Sequence, residues 1–174
     1  QKEGTPLSIS VNISPKQLES AVFVREVRRI LQEVDLHDIQ LILEVTERSL
    51  LSTSGRILER IRELKQLGIQ MSMDDFGMGH SSMMYLQENA FDEVKLDGSL
   101  VRQILENERS RDIVRGITRL AASMQFHVVA EFVETREQME LLKALHCDIY
   151  QGYYYGKPCS CDEFIIKYLK QEPR

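Results

Sequence analysis

The chain has 174 residues, with 22 Lys+Arg against 27 Asp+Glu for a net charge of −5, and 43% of its residues are hydrophobic. This is the make-up of one globular domain and excludes a disordered tail or a collagen-like repeat. Mild acidity argues against bulk nucleic-acid binding, which needs a positive footprint to displace counterions, so a phosphate-bearing substrate would be held only with help from cations.

In chain order, short β-rich runs alternate with longer segments of helical period. The strand candidates are residues 7–13, 40–46, 69–75, 91–97, 127–131 and 147–153. Such alternation predicts an α/β fold of strand–helix units around a parallel sheet. Ser14-Pro15-Lys16-Gln17 offers an N-cap, a proline at the first helical position and a reciprocal Gln; residues 135–138 and 160–163 repeat the capping-box spacing. Ile57, Ile61, Leu64 and Leu67 recur at helical spacing, as do Ile113, Ile117, Leu120 and Met124. Gly68 suits a helix C-cap. Tyr153, Tyr154 and Tyr155 read as strand, packing alternately into the core and the exterior. The tail 171–174 is expected to fray, leaving 1–170 as the domain.

No apolar run approaches the roughly 20 residues that span a bilayer, and no signal segment opens the chain. Cys147, Cys159 and Cys161 lack a zinc spacing and read as reduced thiols of a cytoplasmic protein, whose parent could still be membrane-tethered. The four dispersed histidines are given no metal role.

Ligands on parallel α/β sheets bind just beyond the C-terminal strand ends. Those ends here carry Asn12, then Glu44 and Glu47, then Asp74 and Asp75, then Lys95 and Asp97, then Glu131 and Glu134, then Gln151. Carboxylates converging on one sheet edge repel each other, so something positive must sit among them. Asn12, Glu44, Asp74, Asp75 and Glu131 are oxygen donors, which selects hard ions such as Mg²⁺ or Mn²⁺. Adjacent aspartates can bridge two ions. Lys95 supplies a fixed cation or a proton-transfer group. Gly77 and Gly79 allow a mobile loop after the aspartates.

Each residue also has a plainer account. Asp74-Asp75 could be a turn that caps the next helix, Lys95 a salt-bridged lysine, and Asn12 an organiser of the first helix. An enolase-like barrel with Lys95 as base beside one ion is a further alternative, disfavoured by the paired aspartates.

The series Ser10-Val11-Asn12-Ile13-Ser14, Glu44-Val45-Thr46-Glu47, Asp74-Asp75-Phe76-Gly77-Met78-Gly79-His80-Ser81-Ser82, Lys95-Leu96-Asp97, Glu131-Phe132-Val133-Glu134-Thr135 and Gln151-Gly152-Tyr153 resembles the EAL-domain family of cyclic di-GMP phosphodiesterases. The resemblance implies a (β/α)₈ TIM-type barrel that uses two Mg²⁺ or Mn²⁺ ions to hydrolyse cyclic di-GMP to linear pGpG in bacterial signalling. It implies metal ligation by Asn12, Glu44, Asp74, Asp75 and Glu131, and contact of Lys95 with the attacking water. Glu131 also becomes a general base, Asp97 an outer residue of the metal site, Gln151 a member of the catalytic set, and Glu47 and Glu134 supports of the mobile loop. Met78, His80 and Phe132 stand where the family usually has Thr, an aromatic residue and Gly.

Barrels of this class take about 250 residues, and the Glu-Ala-Leu motif is not in this sequence. The expectation is an incomplete barrel of about six strand–helix units, truncated at its N-terminal side, with an upstream regulatory domain in the parent chain and pairing into a homodimer through exposed sheet edges. The isolated fragment is expected to be weakly active or inactive. The alternative is a degenerate receptor that binds cyclic di-GMP or a protein partner.

Overall fold

The computed structural model describes residues 7–34, 36, 39–51, 56–76 and 82–169. The expected loop residues Gly77, Met78, Gly79 and His80 and the tail 171–174 lie outside the described residues.

Six parallel strands run in sequence order: β1 (Leu7–Asn12), β2 (Ile39–Thr46), β3 (Gln70–Phe76), β4 (Glu93–Leu96), β5 (His127–Ala130) and β6 (Ile149–Tyr150). Helices fill every connection: α1 (Pro15–Glu19), α2 (Ala21–Glu33), α3 (Glu47–Leu51), α4 (Ile57–Lys65), α5 (Ser82–Gln87), α6 (Gly98–Arg102), α7 (Glu108–Met124) and α8 (Arg136–Ala144). After β6 comes α9 (Cys161–Phe164), continued by a π-helical segment, Ile165–Leu169. The result is an open half-barrel of the (β/α) type, with β1 and β6 at its edges.

Strand alternation sorts residues onto two faces. The outer face, with Leu43, Val45, Met71, Met73, Val94, Leu96, Val128 and Ala130, is buried. Ile57, Ile61 and Leu64 of α4 and Val114, Ile117 and Ala121 of α7 belong to the same core. Each fully buried Leu or Ile contributes about 1.5–3 kcal/mol relative to exposure. On the concave face lie Ser10, Ile42, Glu44, Lys95, Val129 and Gln151, around a small cavity of about 170 Å³. At the β1 edge the outer face is bare: Ile9 and Val11 are exposed.

All three capping boxes form, on Ser14, Thr135 and Ser160. Gly68 follows α4 at φ +83°, which a glycine adopts without strain. Three expectations need correction. The buried stripe of α7 is Ser110, Val114, Ile117 and Ala121, whereas Ile113 is exposed, because the helix is rotated from the face its larger residues mark. The last strand is two residues long, since the chain turns at Gly152. Tyr153, Tyr154 and Tyr155 therefore sit in that turn, all exposed, with Tyr154 edge-on to Tyr155 at 5.1 Å.

Candidate functional site

The polar strand ends meet at Lys95. It is an inward residue of β4, next to the strand's end, and its neighbours on the concave face come from β2, β3 and the end of β5. Lys95 Nζ donates to Glu44 Oε2 at 2.9 Å and pairs with Glu131 Oε1 at 2.8 Å, while Asp74 Oδ1 lies 3.8 Å away. Lys95 and Glu44 side chains are only 6% and 7% exposed. The parallel register accounts for the convergence. Asn12 faces Glu44, Glu44 faces Ser72 and Thr46 faces Asp74, so the acidic residues fall within about one pleat of one another at one end of the sheet.

Burial disfavours a charged Lys95, but hydrogen bonds and charges from Glu131 and Glu44 outweigh it and hold the ammonium above the ordinary lysine range. Burial pushes the Glu131 carboxyl up, against the Lys95 hydrogen bond, with Asp74 and Glu44 adding repulsion. Three carboxylates share one ammonium. Among the described residues this cluster carries more carboxylate than cationic charge.

The end of β3 is irregular. The register with β4 shifts between Met73 and Phe76, and Asp75 adopts φ +57°. A bulge of this kind breaks the strict alternation of faces. Asp75 N–H donates to Asp74 Oδ1 at 2.9 Å. Burial raises the Asp75 carboxyl, and Asp74 and Asp97 raise it further.

The remaining expected residues take varied places. Asp97 is the N-cap of α6, accepting from Ser99 N–H at 2.8 Å and from the Ser99 hydroxyl. Gln151 joins the sheet through its backbone, N–H to Ala130 O at 2.8 Å, and lines both the small inner cavity and a larger one of about 370 Å³ beside Glu131. Asn12 ends the edge strand β1, exposed. Glu47 is buried at the first position of α3. Glu134 is exposed, and its N–H donates to Gln138 Oε1. Three features went unread in the sequence: the buried Glu93 one inward position below Lys95, the cap at Asp97, and the packing of Phe132 on Gly98 and Arg102. Asp97-Gly98-Ser99 carried a readable N-cap signal.

The donors suit a hard cation. Glu44, Asp74 and Glu131 place carboxylate oxygens within 3.8 Å of one point and are all oxygen ligands. Lys95 takes the centre, and among the described residues no three His, Cys, Asp or Glu side chains are already spaced around an ion.

An acidic, lysine-centred cluster at the C-terminal end of a (β/α) barrel sheet defines the class of site. The family model described as EAL domain matches residues 1–158, and the chain belongs to that family. An uncharacterized signaling protein of Caulobacter vibrioides is 41% identical over 161 residues, covering 92% of this chain and 20% of that protein. The cyclic di-GMP phosphodiesterase NbdA of Pseudomonas aeruginosa is 35% identical, covering 93% of this chain and 21% of its own. The chain thus spans about a fifth of these relatives. Among solved structures, PaMucR phosphodiesterase in complex with c-di-GMP superposes with a TM-score of 0.81 at 33% identity, over 90% of this chain and 64% of that one. Klebsiella pneumoniae BlrP1 with manganese and cy-diGMP gives 0.76 at 25% identity, over 87% and 39%.

Proposed function

We propose that this chain forms the greater part of a cyclic di-GMP phosphodiesterase site that hydrolyses one phosphodiester bond to give linear pGpG. The observation that carries the reading is the burial of Lys95 between Glu44 and Glu131 with Asp74 beside them, at the end of the sheet where barrel enzymes do their chemistry.

Glu44, Asp74, Asp75, Glu131 and Asn12 are the residues that would hold two divalent ions, Mg²⁺ or Mn²⁺, with a ligand from outside this sequence to complete them. Such ions, when bound, neutralise phosphoryl charge and make water a better nucleophile near neutral pH. The chain's own residues do the rest. Lys95 presents a permanent ammonium at the reacting phosphate and orients the attacking water. Glu131, whose carboxyl burial pushes up, is suited to accept that water's proton. Gln151 offers an amide where the inner cavity opens into the larger one. Asp97 orders the segment after Lys95 by capping α6, and Glu47, Gly77, Gly79 and Glu134 support the loop that follows the aspartates. A homodimer and an upstream regulatory domain belong to the same proposal, in keeping with relatives several times longer than this chain.

Product analysis of the intact protein with cyclic di-GMP tests the reading. Linear dinucleotide is expected with Mn²⁺, none with a chelator, and a loss of about 10²–10⁴-fold for Glu131→Gln. Tight metal-independent binding without product would favour the receptor instead.

A further inference from the structure

We propose that Phe132 is a positioning residue: its ring, seated on Gly98 and capped by Arg102, holds the turn that aims Glu131 at Lys95. The proposal rests on the reading of Glu131 as a metal ligand.

Phe132 adopts φ +55° directly after Glu131. A left-handed backbone is strained for a bulky residue, and such strain persists only where the surroundings hold it. Two sets of contacts do so. On the backbone side, Val133 N–H donates to Gln151 O at 3.1 Å and Tyr154 N–H to Val133 O at 3.0 Å. Gly152 lies so close to the Val133 backbone that any side chain there would overlap it. On the side-chain side, the Arg102 guanidinium carbon lies 4.0 Å from the centroid of the Phe132 ring. A methyl group at Gly98 would overlap ring atoms Cδ2 and Cε2. Phe132 and Gly98 are therefore complementary: one supplies volume that only the absence of a side chain on the other accommodates.

The contact joins the two halves of the ion pair. Gly98 and Arg102 stand one turn apart on α6, the helix that begins three residues after Lys95. Phe132 is the next residue after Glu131. The ring thus ties the chain beyond β4 to the chain beyond β5, alongside the 2.8 Å contact between Lys95 and Glu131. Phe132 is still 42% exposed, so its position follows from these contacts and not from hydrophobic burial. Arg102, Phe132, Glu131 and Gln151 line the same cavity of about 370 Å³, so a shift of the ring reaches the site directly.

The test is Mn²⁺ titration calorimetry on the intact protein and four variants, with melting scans to confirm folding. Glycine tolerates the left-handed turn, so Phe132→Gly should stay folded. It should nevertheless bind Mn²⁺ about 10–100-fold more weakly, the usual cost of losing a residue that orients a ligand. Phe132→Tyr, which keeps the ring, should bind within about twofold of the parent by the same reasoning. Gly98→Ser should weaken binding as Phe132→Gly does, and the double variant Gly98→Ser/Phe132→Gly should be no worse than Phe132→Gly alone, because the clash has gone. If Gly98→Ser fails to fold, recovery of the fold in the double variant supports the pairing and continued failure overturns it. Parent-like affinity in Phe132→Gly, or additive losses in the double variant, overturns the proposal while leaving the site reading intact. A parent protein that takes up no Mn²⁺ overturns both.

Discussion

Glu131 Oε1 lies 2.8 Å from Lys95 Nζ although Lys95 is on β4 and Glu131 follows β5, 36 positions later in the chain, and the same ammonium donates to Glu44 at 2.9 Å. One buried cation thus joins β2, β4 and the end of β5.

Removing that cation strands its partners. Lys95→Ala is expected to destabilise the fold by about 3–5 kcal/mol, the cost of leaving buried charge uncompensated. Burial already raises the Glu131 carboxyl, and without Lys95 to oppose it that group titrates higher still in the folded chain than in the unfolded one. Its penalty is then complete above the folded value and fades as pH falls below the unfolded one, at about 4.3. Denaturant unfolding near pH 8 and near pH 5 should therefore show a gap between variant and parent that narrows in acid.

Glu93 should behave in the opposite sense to a stabilising carboxylate. Burial is the chief cause of its raised pKa, with repulsion from Glu44 adding to it against His127 and Lys95. Folding therefore favours its protonated form, an advantage present below the unfolded value and lost as pH rises through the folded one. Glu93→Gln is expected to gain about 1 kcal/mol near neutral pH, or about 2–4 °C in Tm, and to gain nothing near pH 4. A gain that grows in acid would contradict this account.

Asp97 separates two roles by substitution. Asparagine keeps an oxygen to accept from Ser99, whereas alanine does not. Asp97→Ala should lose about 1 kcal/mol of stability and Asp97→Asn only a small part of that. If turnover in Asp97→Asn nevertheless falls, its charge serves the metal site as well as the helix.

The three thiols should react unequally. Burial pushes the Cys147 thiol up to about 12, while Cys159 and Cys161 are exposed. Thiolate is the reactive form. Native alkylation near pH 8 followed by mass spectrometry should add two labels, with the third appearing only after unfolding.

The strands were legible because apolar runs separated by helical periods leave few alternatives, and five of the six sit close to where the pattern puts them. The acidic edge was legible for the same reason: once strands are parallel, residues at their C-terminal ends must be neighbours. The need for positive charge among the carboxylates also followed, and Lys95 supplies part of it. Other features depend on information that a linear pattern lacks. Asp74 and Asp75 look equivalent in sequence, but the β3 bulge and a left-handed backbone at Asp75 separate them. The face of α7 is set by what it packs against, so the large Ile113 is exposed and the small Ala121 buried. Glu93 lies two residues before Lys95 on the same face of β4, and its burial there depends on the strands that flank it. The fit of Phe132 to Gly98 joins residues 34 positions apart, and no spacing rule announces it.

The most direct test of the central claim is anomalous diffraction at the manganese edge from crystals of the intact protein grown with Mn²⁺ and cyclic di-GMP. Peaks bounded by Glu44, Asp74, Asp75 and Glu131, at about 2.0–2.3 Å from their oxygens, are the predicted result. Nucleotide bound with no manganese among these carboxylates, or manganese held only elsewhere, would contradict it.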